Sequence, residues 1–175
     1  MVRLKSYGAM TDQGPVRSVN EDRYGVFPKI GLFGIFGGLG GGGVGDVASE
    51  YVSAQVGEFF TQSGGDEDAT LPFTVRNQYL LETNFSFNAL ISSHKGLFQE
   101  NQKRDFNSRA AVSSIVLAHM ESVMSIVGVG NCRVYRLRRR ELENLLPVYS
   151  ISSFSTEPDR AQYRDIPLSA IGYEV

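Results

Sequence analysis

IGLFGIFGGLGGGGVGDVASEYV, residues 30–52, decides how the chain folds. An apolar run from Ile30 to Phe36 reads as a strand. It enters a turn dense in glycine, and the turn opens an amphipathic helix. Nine glycines fall between Gly31 and Gly45, far more than packing requires. Glycine is needed where the backbone takes a positive φ, or where another group must approach the backbone closely. The stretch is therefore a strand-to-helix loop built around a ligand, or the remnant of one.

Two phosphate-binding patterns can be set against it. A Walker loop requires Lys-Ser/Thr after its last glycine; Val44-Gly45-Asp46 stands there instead. Gly38-Leu39-Gly40-Gly41-Gly42-Gly43 formally meets G-x-G-x-x-G between a strand and a helix. In a run this rich in glycine the match is nearly automatic. The acid that should end a second strand about 20 residues on would be Glu58, which falls inside the helical pattern. A nucleotide-binding domain is therefore kept only as a second alternative.

The preceding segment, TDQGPVRSVNEDRYGVF at 11–27, sets Arg17, Asn20, Glu21 and Asp22 just before a strand-like Tyr24–Phe27. Together the two segments resemble the metal-dependent PP2C-type serine/threonine phosphatases. That family writes an Arg, then Asn-Glu/Gln-Asp, then an apolar strand ending in Asp-Gly-x-Gly-Gly, then Gly-Glu-x-Ala-Ser opening a helix. Arg17 and Asn20-Glu21-Asp22 stand at that spacing. Gly38, Gly40, Gly41 and Gly45-Asp46-Val47-Ala48-Ser49 fit the second motif, closest to its bacterial form. Gly130-Asn131-Cys132-Arg133 takes the place of the family's Gly-Asp-Ser-Arg. The departures fall on the chemistry. Gly37 stands where the family's metal-bridging Asp would be, Leu39 where His or Met is common, and Asn131 where an Asp can help hold an additional metal.

The resemblance implies phosphomonoester hydrolysis by two Mg²⁺ or Mn²⁺ ions that clamp the phosphate and activate a water. Such ions need oxygen ligands, mainly carboxylates. Carried over residue by residue, the vestigial metal set is Asp22 and the Gly38 carbonyl, with Glu21 reaching a metal-bound water. Arg17 would bind phosphate through its bidentate fork, or else form a salt bridge with Glu21 or Asp22. The family's later Ser-Asp-Gly and Asp-Asn motifs have no counterpart in these 175 residues. One carboxylate and one carbonyl will not hold two ions. The resemblance thus points to a pseudophosphatase with no intact catalytic residue and no cofactor. Its role would be to bind a protein, such as a phosphoprotein or a component of a kinase-linked pathway, or a second copy of itself. The alternative is an active Mn- or Mg-dependent phosphatase with substitute ligands such as Asp46, or carboxylates from a partner chain.

Composition sets wider bounds. A chain of 175 residues with 42% apolar and 21% charged residues is ordinary for one globular domain. A net charge of −2 argues neither for nucleic acid nor for a membrane surface, and neither is expected as a partner. No apolar run reaches the ~18 residues of a spanning helix, and the N-terminus lacks the apolar core of a signal peptide. A single cysteine, Cys132, fits a reducing, cytoplasmic setting. It reads as a small core residue at a turn. His94 and His119 have no zinc-site spacing. Arg136, Arg138, Arg139 and Arg140 read as a solvated strand end, since no stacking aromatics accompany them.

The expected fold is α+β: a PP2C-like β-sandwich flanked by helices, in truncated form. Strands are expected at 3–10, 23–36 (a hairpin), 110–120, 123–130, 133–139 and 141–146. Apolar spacing of i, i+3, i+4 and i+7 predicts helices at 44–60 and 73–103 on one face. Residues 61–72 read as a polar loop carrying Asp66, Glu67 and Asp68. One domain spans 1–175, with 1–146 matching the resemblance well and 147–175 poorly. The open edges and apolar sheet face of a truncated sandwich call for a homodimer or a protein partner.

Overall fold

The computed structural model describes residues 3–40, 43–63, 73–120, 122–147, 149–153 and 166–173. Alternation builds the main sheet. Strands β1 (Asp22–Phe27), β2 (Leu32–Leu39), β3 (Ala111–Met120) and β4 (Val123–Val129) pair in that order, each antiparallel to the next. Side chains on a strand alternate between faces. Leu32 and Phe36 of β2, with Val112, Val116 and Ala118 of β3, fall on one face and are buried in the core. Asp22 and Tyr24 of β1, Ile35 and Gly37 of β2, and Ser113 and Ile115 of β3 fall on the other by register.

Two helices cover the first face. Helix α1 (Gly45–Ser63) lies over β1, β2 and β3, and α2 (Leu81–Gln102) over β3 and β4. The expected stripe on α1 is the buried one: Ala48, Val52, Val56 and Phe60 meet Phe85, Ala89, Leu90 and Leu97 of α2 in a single core. Four antiparallel strands backed by helices on one side exclude a doubly wound parallel sheet, and with it the dinucleotide alternative.

Several boundaries moved. The expected strand at 3–10 does not form: these residues are exposed and pair with no strand among the described residues. A strand exists only through its partner, and here one ring contact, Tyr7 on Phe33 at 5.8 Å, holds the segment. Helix α2 starts at Leu81, not 73. Asn84 explains the delay. Its side-chain oxygen accepts from the Arg76 N–H, and its amide nitrogen lies within 3.2 Å of the Arg76, Tyr79 and Leu80 carbonyls, which folds 76–80 as a turn. Helix α1 runs three residues beyond its expected end, to Ser63; the rest of the expected loop, with Asp66, Glu67 and Asp68, lies outside the described residues, as do Gly41 and Gly42. The second sheet is only the hairpin β5 (Tyr135–Arg138) and β6 (Glu141–Asn144).

The poorly matching tail is partly docked. Ile171 pairs with Val112 through both backbone hydrogen bonds, and the Gly172 N–H donates to His94 Nδ1. Buried Asn101 ties this segment to α2 and β3: its amide donates to the Ala110 and Gly172 carbonyls, and its oxygen accepts from the Ala110 N–H. Orphaning three buried backbone groups costs about 1–3 kcal/mol each. Asn101→Ala should therefore lower the unfolding free energy by about 3 kcal/mol or more, read from urea melts. A loss under about 1 kcal/mol would show that the tail contributes little.

Candidate functional site

The site is built where the chain of residues 11–22 meets the end of β2 and the start of α1. The Glu21 carbonyl accepts two hydrogen bonds, from the Gly38 N–H at 3.0 Å and from Ser49 Oγ at 2.7 Å. Ser49, fully buried, thus ties the helix to the loop. The junction is too close for side chains. A Cβ on Gly38 would collide with the Gly45 carbonyl and lie 2.6 Å from the Glu21 oxygen, and a Cβ on Gly45 would lie 2.8 Å from the Glu21 carboxyl carbon. Close backbone approach, not positive φ, demands glycine at 38, while a side chain at 45 would displace the Glu21 carboxylate.

Asn20 shapes the turn into β1. Its side-chain oxygen accepts from the Asp22 N–H at 3.0 Å, and its amide donates to Thr11 Oγ1 at 2.9 Å. Arg23 braces the same turn, donating to the Asn20 carbonyl and pairing with Glu50 of α1 at 3.1 Å. Asp22 is thereby fixed on the outer face of the sheet, directly opposite Gly37.

A cleft of about 610 Å³ opens over this end of the sheet. Arg17, Glu21, Asp22, Gly37, Gly38, Leu39 and Asn131 all line it. The structure therefore brings every residue carried over from the resemblance into one place. Arg17 forms no salt bridge with Glu21 or Asp22, and no side-chain bond to its guanidinium arises among the described residues. The salt-bridge expectation is replaced by a cation facing the cleft. Glu21 points at the start of α1, where its buried Oε1 has no hydrogen-bond partner. The partial positive charge of a helix N-terminus favours a carboxylate there. Asp46 is not among the cleft walls; its carboxylate takes the Val47 N–H at 2.8 Å.

Gly37 sits mid-ladder without a left-handed φ. A Cβ there would meet only Asp22 Oδ1 at 3.3 Å and the Ser113 carbonyl at 3.9 Å. Two carboxylates at 22 and 37 would thus face each other across one register position, and here only one exists. Asn131 donates its N–H toward Ser113 Oγ at 3.4 Å on the next strand. Among the described residues, no three His, Cys, Asp or Glu side chains gather as a metal group. Asp12, Glu21 and Asp22 line the cleft, but their carboxylates do not gather as a metal group, and Glu21 is turned to the start of α1.

Cys132 was read as a core residue, but it forms part of the cleft wall and is only half-buried. Burial, and then the charge of Asp22, push its thiol up to about 11, against a Gly37 backbone hydrogen bond and the Arg133 charge. A thiol in that state is a poor nucleophile at neutral pH. The substitution of Cys for the family's Ser was the one visible signal for this placement.

No protein-family model matches the sequence, and no characterised protein matches it by sequence. Structural likeness is another matter: the fold is that of the PP2C-type serine/threonine phosphatases. The PPM phosphatase MsPP of Mycobacterium smegmatis, solved with cacodylate, superposes at a TM-score of 0.72 with 18% identity, over 94% of this chain and 66% of its own. The serine/threonine phosphatase PstP/Ppp of Mycobacterium tuberculosis gives 0.73 with 20% identity, over 97% and 69%. PppA of Pseudomonas aeruginosa, a regulatory component of a type VI secretion system, gives 0.69 with 24% identity, over 94% and 65%. The chain spans about two thirds of the length of these structures. The PstP catalytic domain has also been solved with two manganese ions. No helix among the described residues is long and apolar enough to cross a membrane.

Two substitutions separate a required glycine from a replaceable one. Gly38→Ala should cost more than about 3 kcal/mol, because backbone must move on two sides. Gly37→Asp should cost about 1 kcal/mol or less, the repulsion of like charges across a strand pair. Equal losses in thermal melts would contradict this. Cys132 should react with iodoacetamide more slowly than a free thiol at pH 8. Asp22→Asn should quicken it by removing one of the charges that hold the proton on.

Proposed function

We propose that this protein is a pseudophosphatase: a PP2C-like domain that binds phosphorylated protein segments without hydrolysing them. The observation that carries this reading is the bare strand at Gly37 opposite Asp22. Turnover needs a carboxylate shared between two ions, and that position has no side chain. Asn131 removes a further charge from the same cleft. Arg17 remains there with its fork uncommitted. A guanidinium makes paired hydrogen bonds to phosphate oxygens without any metal. A lone cysteine fits a reducing, cytoplasmic setting. The exposed Tyr24, Ile35 and Met124 on the outer sheet face give a protein partner apolar area to bury.

A second reading has three observations in its favour. Asp22 is retained, room exists at 37, and a structural neighbour holds two manganese ions. Carboxylates supplied from outside these residues would then complete an active phosphatase.

Manganese-dependent hydrolysis of p-nitrophenyl phosphate and of a phosphoserine peptide separates the two. Wild type should show no turnover above the metal-free background. Gly37→Asp, and Gly37→Asp with Asn131→Asp, should also stay inactive, because two restored charges still fall short of a two-ion ligand set. The phosphopeptide should bind wild type, and Arg17→Ala should weaken it roughly tenfold or more. Binding should strengthen as pH rises through about 6, where the phosphoserine takes its second charge. Turnover by wild type, or by Gly37→Asp alone, would favour the active reading.

A further inference from the structure

The hairpin that leaves the cleft is patterned on both faces. Cross-strand pairs in its register are Tyr135 with Asn144, Arg136 with Glu143, Leu137 with Leu142, and Arg138 with Glu141. Partners in a pair share a face and neighbours alternate. One face therefore carries Tyr135, Leu137 and Leu142, the two leucines 71% and 68% exposed. The other carries Arg136, Arg138, Glu141 and Glu143, with an ion pair between Arg136 and Glu143. Arg139 and Arg140 form the tip.

That tip is built against local preference. Arg139 and Arg140 have φ of 51° and 70°, the only positive-φ residues other than glycine among the described residues. A two-residue hairpin turn with positive φ at both positions calls for Asn-Gly or a similar pair. Side chains with a Cβ are strained there. Two arginines in sequence are the wrong residues for the turn, and neither forms a hydrogen bond or ion pair among the described residues. Strain kept at an exposed tip argues that the side chains serve something outside the fold.

The ligand class follows from charge and place. Residues 135–144 carry net charge +2 in a chain of net charge −2. Arg133, two residues before β5, lines the cleft that also holds Arg17. At strand rise, Arg133 to Arg139 spans about 20 Å, the reach of roughly six extended residues. We propose that the arginine tip of this hairpin binds an acidic stretch of a partner protein, lying about six residues from the phosphorylated residue seated in the cleft. The role of the cleft rests on the pseudophosphatase reading; the acid-binding role of the tip does not. Nucleic acid is the poorer fit. The arginine face holds no aromatic side chain for base stacking, and Glu141 and Glu143 on that face would repel a continuous phosphate backbone.

Fluorescence anisotropy on the 175-residue protein tests this with three labelled peptides. One has phosphoserine with neutral flanks. The second adds four glutamates about six residues away. The third keeps the glutamates without the phosphate. Arg139→Asn with Arg140→Gly should raise the melting temperature, since the turn then holds its preferred residues. It should weaken both acidic peptides roughly tenfold at low salt and leave the neutral-flank phosphopeptide unchanged. Arg139→Lys with Arg140→Lys keeps the charge and should bind the acidic peptides within about twofold of wild type. Arg17→Ala should weaken both phosphopeptides and leave the peptide without phosphate unchanged. If that peptide fails to bind wild type, the pseudophosphatase reading falls, and the third peptide still decides the hairpin. Equal affinity of the acidic peptides for wild type and the Asn-Gly variant overturns the proposal. So does tighter binding of a single-stranded oligonucleotide of equal charge.

Discussion

The fold at the functional end depends on one carbonyl group. Glu21 C=O takes the N–H of Gly38 from the end of β2 and the hydroxyl of Ser49 from the second turn of α1. The two bonds join the incoming loop, the central sheet and the first helix at a single point. They also bring the backbones so close that residue 38 cannot carry a Cβ, while a Cβ at 45 would press on the Glu21 carboxylate. A part-buried, doubly satisfied carbonyl is costly to unmake, which holds the mouth of the cleft together.

The same end of the fold places Asp22. The Asx turn of Asn20 and the brace of Arg23 on Glu50 set its backbone, and strand pairing sets its side chain opposite residue 37. In the metal-dependent phosphatase scaffold this arrangement suits two carboxylates sharing an ion. Here residue 37 is glycine, so Asp22 faces a position with no side chain. The cleft is polar, lined by Arg17, Arg23 and Arg133 and by Asp12, Glu21 and Asp22, with a protonated thiol at its wall. On the pseudophosphatase reading proposed above, such a site recognises phosphate by hydrogen bonding and charge without a metal-bound nucleophile.

What was legible in the sequence was whatever a local pattern dictates. The strand at Leu32, the stripe from Ala48 to Phe60 and the tight pair of strands after Arg109 were all readable from period alone. That Arg17, Glu21, Asp22, Gly37 and Gly38 share one cleft was readable because they sit in two short motifs, at 17–22 and 37–49. The misses share a different cause. Residues 3–10 have strand-like composition, but a strand requires a partner elsewhere in the fold, and no local signal reports its absence. The late start of α2 depends on Asn84 reaching back eight residues to the Arg76 N–H, which periodicity does not encode. Cys132 beside Asp22, Asn101 holding the tail and the strained arginine tip are all products of long-range placement or backbone angle. Motif spacing is silent on each of them.

The central claim is that the cleft offers no centre for two divalent ions. Titration of the purified protein with Mn²⁺ by isothermal calorimetry tests it most directly, at neutral pH and without phosphate. A single carboxylate at Asp22 should give no saturable heat below roughly millimolar Mn²⁺, since affinity follows ligand charge and count. Two sites of micromolar or better affinity, abolished by Asp22→Asn, would contradict the account.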